Sequence, residues 1–163
     1  MKIIILFYVF SIIALSQGIT NYLQTEEYDC IKCLCHARTG CYRRRNCALY
    51  SINYNYWKEA GQLKANLQDP NGSQQAYNNC MRDENCIVGT IIEYTNKLNL
   101  DCNCDNTFDC KDRLMLHING RNCNNKNNMR NPFMERFNTC AESVRSTKMS
   151  NNDFISTCVP EAN

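Results

Sequence analysis

The chain has 163 residues, of which 13 are cysteine, and sets 18 Lys and Arg against 16 Asp and Glu. A net charge of +2 excludes a general polyanion binder and gives no footing for nucleic acid, so any cationic behaviour has to be local. The length fits one domain, and this much cysteine implies a disulfide framework made in an oxidising compartment.

The chain opens on a leader. Lys2 precedes an apolar run over residues 3–15, and Ser16 and Gly18 suit a cut after Gly18. That pattern predicts a secretory signal over residues 1–18 and a secreted, extracellular product. No stable membrane insertion is expected, because a span needs about 20 apolar residues.

Residues 21–29 are a polar lead-in carrying Glu26, Glu27 and Asp29. From Cys30 to Cys47 there are five cysteines and five Lys/Arg, with no Asp or Glu. Cys30 and Cys33 form a C-x-x-C, but no second pair follows at zinc-module distance, so neither metal nor cofactor is read. The run Tyr50–Trp57 puts Tyr50, Ile52, Tyr54 and Tyr56 on one side, which predicts a short strand or irregular hairpin. Asp69 to Ser73 is a turn in which Asn71-Gly72-Ser73 forms an N-glycosylation sequon, making Asn71 a candidate modified residue.

Two helical pieces follow. Ser73 can cap the first and Asp83 the second, with Cys80 and Cys86 stapling them. Ile87, Val88, Ile91, Ile92 and Thr95 give the second an apolar stripe. A third helix is expected after Asp109, with Leu114, Met115 and His117 facing inward and Gly120 ending it. Residues 124–131 read as an asparagine-rich linker. Beyond it, two short helices joined by a Cys140–Cys158 disulfide are expected as a small appendage.

The cysteine blocks resemble those of the invertebrate-type (i-type) lysozyme or destabilase family. The family opening C-x-x-C-x-C-x-x-E-S-G-C stands here as Cys30, Cys33, Cys35, Arg38, Thr39, Gly40 and Cys41. "CALYSI" and "YWKEAG" resemble its G-Y-F-Q-I and Y-W-x-D-C-G blocks. "CMRDENCIVGTIIEY" and "CKDRLMLHINGRNC" resemble its two later helical blocks. The resemblance implies a mainly α (α+β lysozyme-like), disulfide-rich secreted domain. It would hold a short strand region and about three core helices over residues 19–123; the resemblance runs over about residues 28–123, and the stapled helical tail over residues 124–163 lies outside it. The implied family activity is hydrolysis of β-1,4 bonds in peptidoglycan, with antibacterial defence as the setting; some members are also credited with isopeptidase activity.

The chemistry departs from that pattern. Glycoside hydrolysis needs one protonated and one ionised carboxyl group. Arg38 occupies the family general-acid position, and arginine stays protonated and donates poorly at neutral pH. The segment that would carry the second carboxylate is shortened to "GCYRRRNC". The expectation is therefore a catalytically inactive chain with no catalytic residue. The rivals are an active lysozyme using Glu59, Asp29 or Glu27, a cationic antimicrobial that needs no catalysis, and a small inhibitor or signalling ligand. His117 matches the family histidine but has no positioned nucleophile beside it, and Ser51 is a poor substitute.

The resemblance covers Cys30, Cys33, Cys35, Cys41, Cys47, Cys80, Cys86, Cys104, Cys110 and Cys123 as half-cystines, with Cys140 and Cys158 of the tail expected as half-cystines outside it. It leaves Cys102 as the odd thiol, able to link two chains into a dimer. Arg43, Arg44 and Arg45 with Tyr50, Tyr56 and Trp57 make either a solvated basic loop or a candidate surface for peptidoglycan or another anionic glycan. Asp101, Asn103, Asp105, Thr107, Asp109 and Asp112 fall at calcium-loop spacing. Asn106 replaces the required glycine, however, so an acidic turn capping a helix is expected instead.

Overall fold

The computed structural model describes residues 19–40, 47–48, 51–125 and 131–154. The predicted leader, Cys41, Arg43, Arg44, Arg45, Tyr50 and Cys158 lie outside the described residues. Among those described there is no strand. The helices are α1 (Tyr28–Thr39), α2 (Tyr54–Glu59), α3 (Gln74–Cys80), α4 (Glu84–Leu98), α5 (Cys110–Asn119) and α6 (Asn131–Ser143), with short 3-10 turns at Tyr22–Gln24, Gly120–Asn122 and Asn151–Asp153.

The helix starts follow from side chains that satisfy orphan amides. Ser73 Oγ accepts from the Ala76 N–H at 3.0 Å, and Asp83 Oδ1 accepts from the Cys86 N–H at 2.7 Å. Asp109 caps α5 in a reciprocal box with Asp112. Helix α4 is buried on nearly every face, including Ile87, Val88, Ile91, Ile92 and Thr95, and forms the centre of the domain. Gly89 is the notch in it: a Cβ there would lie 2.4 Å from the Tyr22 ring and 2.7 Å from Leu63. Tyr22 therefore crosses α4 closely, and its hydroxyl donates to Glu93 at 2.9 Å.

The strand expected over Tyr50–Trp57 is not formed. Asn53 instead caps α2, its side chain accepting from the Tyr56 N–H. The alternation in sequence is overridden by packing, because the adjacent Tyr56 and Trp57 are both buried, which a strand with one wet face does not allow.

The described part of the tail is no appendage. Phe133, Met134, Phe137, Cys140 and Ala141 recur at helical spacing along α6, and Phe137 and Ala141 are fully buried. Helix α1 packs more extensively on α6 than on any other element. Cys140 bonds to Cys33 of α1, so the expected Cys140–Cys158 pair is overturned. Beyond α6, Asn138 holds both backbone groups of Met149, at 2.9 and 2.7 Å.

The other disulfides described are Cys30–Cys110, Cys35–Cys47, Cys80–Cys86 and Cys102–Cys123. Cys102 is thus not the odd thiol. It is buried, and Asp112 accepts its backbone N–H, which fixes it beside Cys123. A dimer through Cys102 falls with that assignment. Cys104 is disulfide-bonded as well, so the odd cysteine is not among the described residues.

Candidate active site

The last turn of α1 presents Arg38, half-buried, with its guanidinium 5.5 Å from the centroid of the Phe133 ring of α6. The Arg136 side chain of α6 crosses Gly40, within 3.5 Å of where a Cβ would stand. Among the described residues Arg38 forms no ion pair. Burial and then the Arg136 charge hold His36 below its ordinary pKa. The end of α1 is therefore a cationic corner walled by α6.

Behind it lies His117 of α5, buried. Its Nδ1 is 3.0 Å from the Tyr56 hydroxyl and its Nε2 is 3.7 Å from Cys47 Sγ. That sulfur is in a disulfide and carries no proton, so Nε2 is the donor and Nδ1 accepts from Tyr56. Burial first, and the Arg38 charge second, lower the His117 pKa to about 4. The ring is neutral at pH 7 and, among the described residues, hydrogen-bonds to no serine, threonine or free thiol. Ser51 Oγ is buried without a hydrogen-bond partner, so no base activates it.

Two of the aromatic residues expected on a binding surface are core instead. Tyr56 stacks on Tyr94 with centroids 3.7 Å apart, and burial pushes its hydroxyl pKa well above the ordinary value. Trp57 is fully buried, and its Nε1–H donates to the Leu63 carbonyl at 2.8 Å. Both have their polar atoms satisfied inside the fold, so neither offers a face to a sugar.

The unmatched carboxylates lie away from Arg38. Asp29 pairs with Lys32, and Glu27 lies 3.8 Å from Arg113. Both sit at the opposite end of α1 from Arg38. At 1.5 Å rise per residue, Asp29 is about 13 Å along the axis, beyond the roughly 5–9.5 Å separation of a glycosidase pair. Glu59 lies at the end of α2 and lines a small cavity with Tyr94, Lys97, Leu98 and Arg121.

The acidic turn is built around an ammonium group. Lys111 Nζ lies 2.8 Å from Asp105, 2.9 Å from Asp153 and 3.9 Å from Asp109. Asp112 accepts from the backbone N–H groups of Cys102 and Asp109. Asp101 accepts from those of Asp105 and Asn106. The carboxylates at calcium-loop spacing are committed to Lys111 and to backbone amides.

A family model described as Destabilase matches residues 27–140. The chain belongs to the Destabilase family. Membership supports a lysozyme-like function. The match runs past residue 123 to the end of the Cys33–Cys140 bridge, in keeping with the packing of α6 into the domain. Searches among curated proteins and solved structures found no match. The resemblance read from the cysteine blocks would put Arg38 at the family's general-acid position. The walling of that position by Phe133 and Arg136 was not anticipated from sequence, although the Phe133/Phe137/Cys140 spacing carries the signal.

The buried neutral His117 makes stability depend on pH. Its folded pKa lies below the unfolded value of about 6.5, so its contribution is present above pH 6.5 and is lost as pH falls towards 4. Between pH 7 and pH 4.5 it should cost the fold roughly 2 kcal/mol. Chemical denaturation of wild type and His117→Gln at both pH values checks this. The wild type should lose that much more stability than the variant over the interval; equal losses would remove His117 as the cause.

Proposed function

We propose that this Destabilase-family chain is exported and lysozyme-like but has no glycosidase activity, and that it retains at most binding to cell-wall glycan. The reading is carried by Arg38, which the resemblance assigns to the general-acid position and whose guanidinium lies against Phe133 and beside a neutral, buried His117. A guanidinium keeps its proton throughout the working pH range and cannot deliver it to a leaving sugar oxygen. The carboxylates Glu27 and Asp29 stand at the far end of α1, on ion-pair partners of their own. Export rests on the leader over residues 1–18, and binding on Arg43, Arg44 and Arg45 in the segment that replaces the second carboxylate.

The test is a lysis assay of the oxidised protein on peptidoglycan between about pH 4 and pH 8, the span over which a carboxyl pair could be correctly protonated. No turnover above buffer is expected. Arg38→Glu alone should not restore turnover, because the second carboxylate is also missing. Hydrolysis at the rate of an active homologue would overturn the proposal. In the same preparation, replacing Arg43, Arg44 and Arg45 by Ser should weaken retention on anionic cell wall and flatten its salt dependence.

A further inference from the structure

Among the described residues the large exposed hydrophobic side chains are Leu67, 61% exposed, and Ile19, 46% exposed. They are not scattered. Both line one cavity of about 490 Å³, together with Leu63, Lys64, Gln62 and Asn71. Clustered apolar exposure on a soluble surface marks a place that something covers. Asn71 opens the one N-x-S/T sequence in the chain, Asn71-Gly72-Ser73. We propose that Asn71 carries an N-linked glycan and that its first sugars lie over the cavity rimmed by Leu67 and Ile19. This rests on the reading that the chain is exported.

The folded geometry leaves room for a glycan there. Asn71 is exposed on the tight turn from Pro70 to Ser73, and its side chain makes no hydrogen bond inside the protein. Gly72 holds the turn at φ +62°, where a Cβ would collide with Gln62 Oε1 at 2.5 Å, and its carbonyl accepts from the Tyr54 hydroxyl. The turn is thus pinned from both sides while the Asn71 amide stays outside. The opposite wall is equally fixed. Asn85 donates to the Thr20 carbonyl at 2.8 Å and accepts from the Tyr22 N–H at 2.7 Å, which keeps Ile19 at the rim. A sugar joined to Asn71 meets apolar Leu67, Leu63 and Ile19 with its C–H face. Gln62 and Lys64 lie within the same cavity for its hydroxyls.

The donor is a polyprenyl-pyrophosphate-linked oligosaccharide of the secretory membrane. The Asn71 amide nitrogen forms a bond to the anomeric carbon as the bond from that carbon to the phosphate oxygen breaks. The amide gives up one proton to a base of the transferase, and the lipid pyrophosphate leaves with the bonding electron pair. In the fold the Ser73 hydroxyl is committed, donating to the Pro70 carbonyl and accepting from the Ala76 N–H. Transfer therefore precedes the closing of α3.

The experiment expresses the full chain in a eukaryotic secretory line with its own leader, and residues 19–163 behind a leader of established function. Intact mass is read before and after peptide-N-glycosidase. One N-glycan on the secreted protein, absent from Asn71→Gln, is the expected result. Protein in the medium from both leaders with a bare Asn71 overturns the glycan and leaves export standing. Retention behind the native leader with glycosylation behind the other overturns export and leaves the glycan site standing. Tryptic cleavage after Lys64 should speed several-fold once the glycan is removed; an unchanged rate overturns the covering of the cavity.

Discussion

Replacing Cys33 and Cys140 together by Ala should lower the stability of the oxidised protein by roughly 4 kcal/mol. The two cysteines are 107 residues apart, but the Cys30–Cys110 bond already ties the chain alongside. The loop that Cys33–Cys140 closes is therefore effectively about 33 residues: the three from Cys30 to Cys33 and the thirty from Cys110 to Cys140. On the chain-entropy account a 15-residue loop is worth about 3 kcal/mol and a 100-residue loop about 4.7, so this one falls between them. For a domain of this size the melting temperature should drop by roughly 10 °C. The folded state should survive, because Phe137 and Ala141 keep α6 buried against α1 by apolar contact alone. Calorimetry of the double variant, with peptide mapping of the wild type, checks both halves. A peptide linking Cys140 to any cysteine but Cys33, or a melting temperature within a degree or two of wild type, would refute the assignment.

That bridge marks where the sequence stops being readable. Ser73, Asp83 and Asp109 could be read as caps because a cap is a local bargain between a side chain and an amide two or three residues on. The stripe on α4 was readable because burial of a central helix repeats with the helical period. The assignment of Arg38 to the acid position rests on the sequence alone, through the register that the surrounding cysteines give the motif. Disulfide partners are different, since spacing alone does not choose among many connectivities. Cys102 meets Cys123 only because Asp112 draws the Cys102 amide onto α5, which is a tertiary event. Tyr56 and Trp57 were misplaced for the same kind of reason. Alternating aromatics describe a half-wet strand until Tyr94 and His117, some forty and sixty residues on, supply a ring to stack on and a nitrogen to bond. The neutral state of His117 likewise depends on burial, and on an arginine that the motif places only in sequence.

The second large effect is expected at Lys111. Its ammonium is buried between Asp153, 2.9 Å away in the C-terminal segment, and Asp105, 2.8 Å away in the acidic turn. Burial alone would lower its pKa, but the hydrogen bonds to Asp105 and Asp153 outweigh that and hold it above the ordinary lysine value. Asp153 responds in kind: burial raises its pKa, yet Lys111, the Ser150 N–H and Asn103 bring it below the usual carboxylate range. Lys111→Met leaves Asp153 buried without its counter-charge, and breaking a buried pair from one side costs about 3–5 kcal/mol. The cheapest relief is to undock the segment after α6 rather than to unfold the domain, because Asp153 reaches the core mainly through Lys111 and Asn103. A loss of about 3 kcal/mol raises the undocked population roughly a hundredfold. Tryptic cleavage after the exposed Arg145 and Lys148 should accelerate by that order, while the disulfide-held helices stay protected. Asp153→Asn in the Lys111→Met background should add much less than it does alone, since the charge it removes is already uncompensated. Cleavage of Lys111→Met at the wild-type rate would mean that the segment is held by Asn138 and Met149 and not by the buried charge pair.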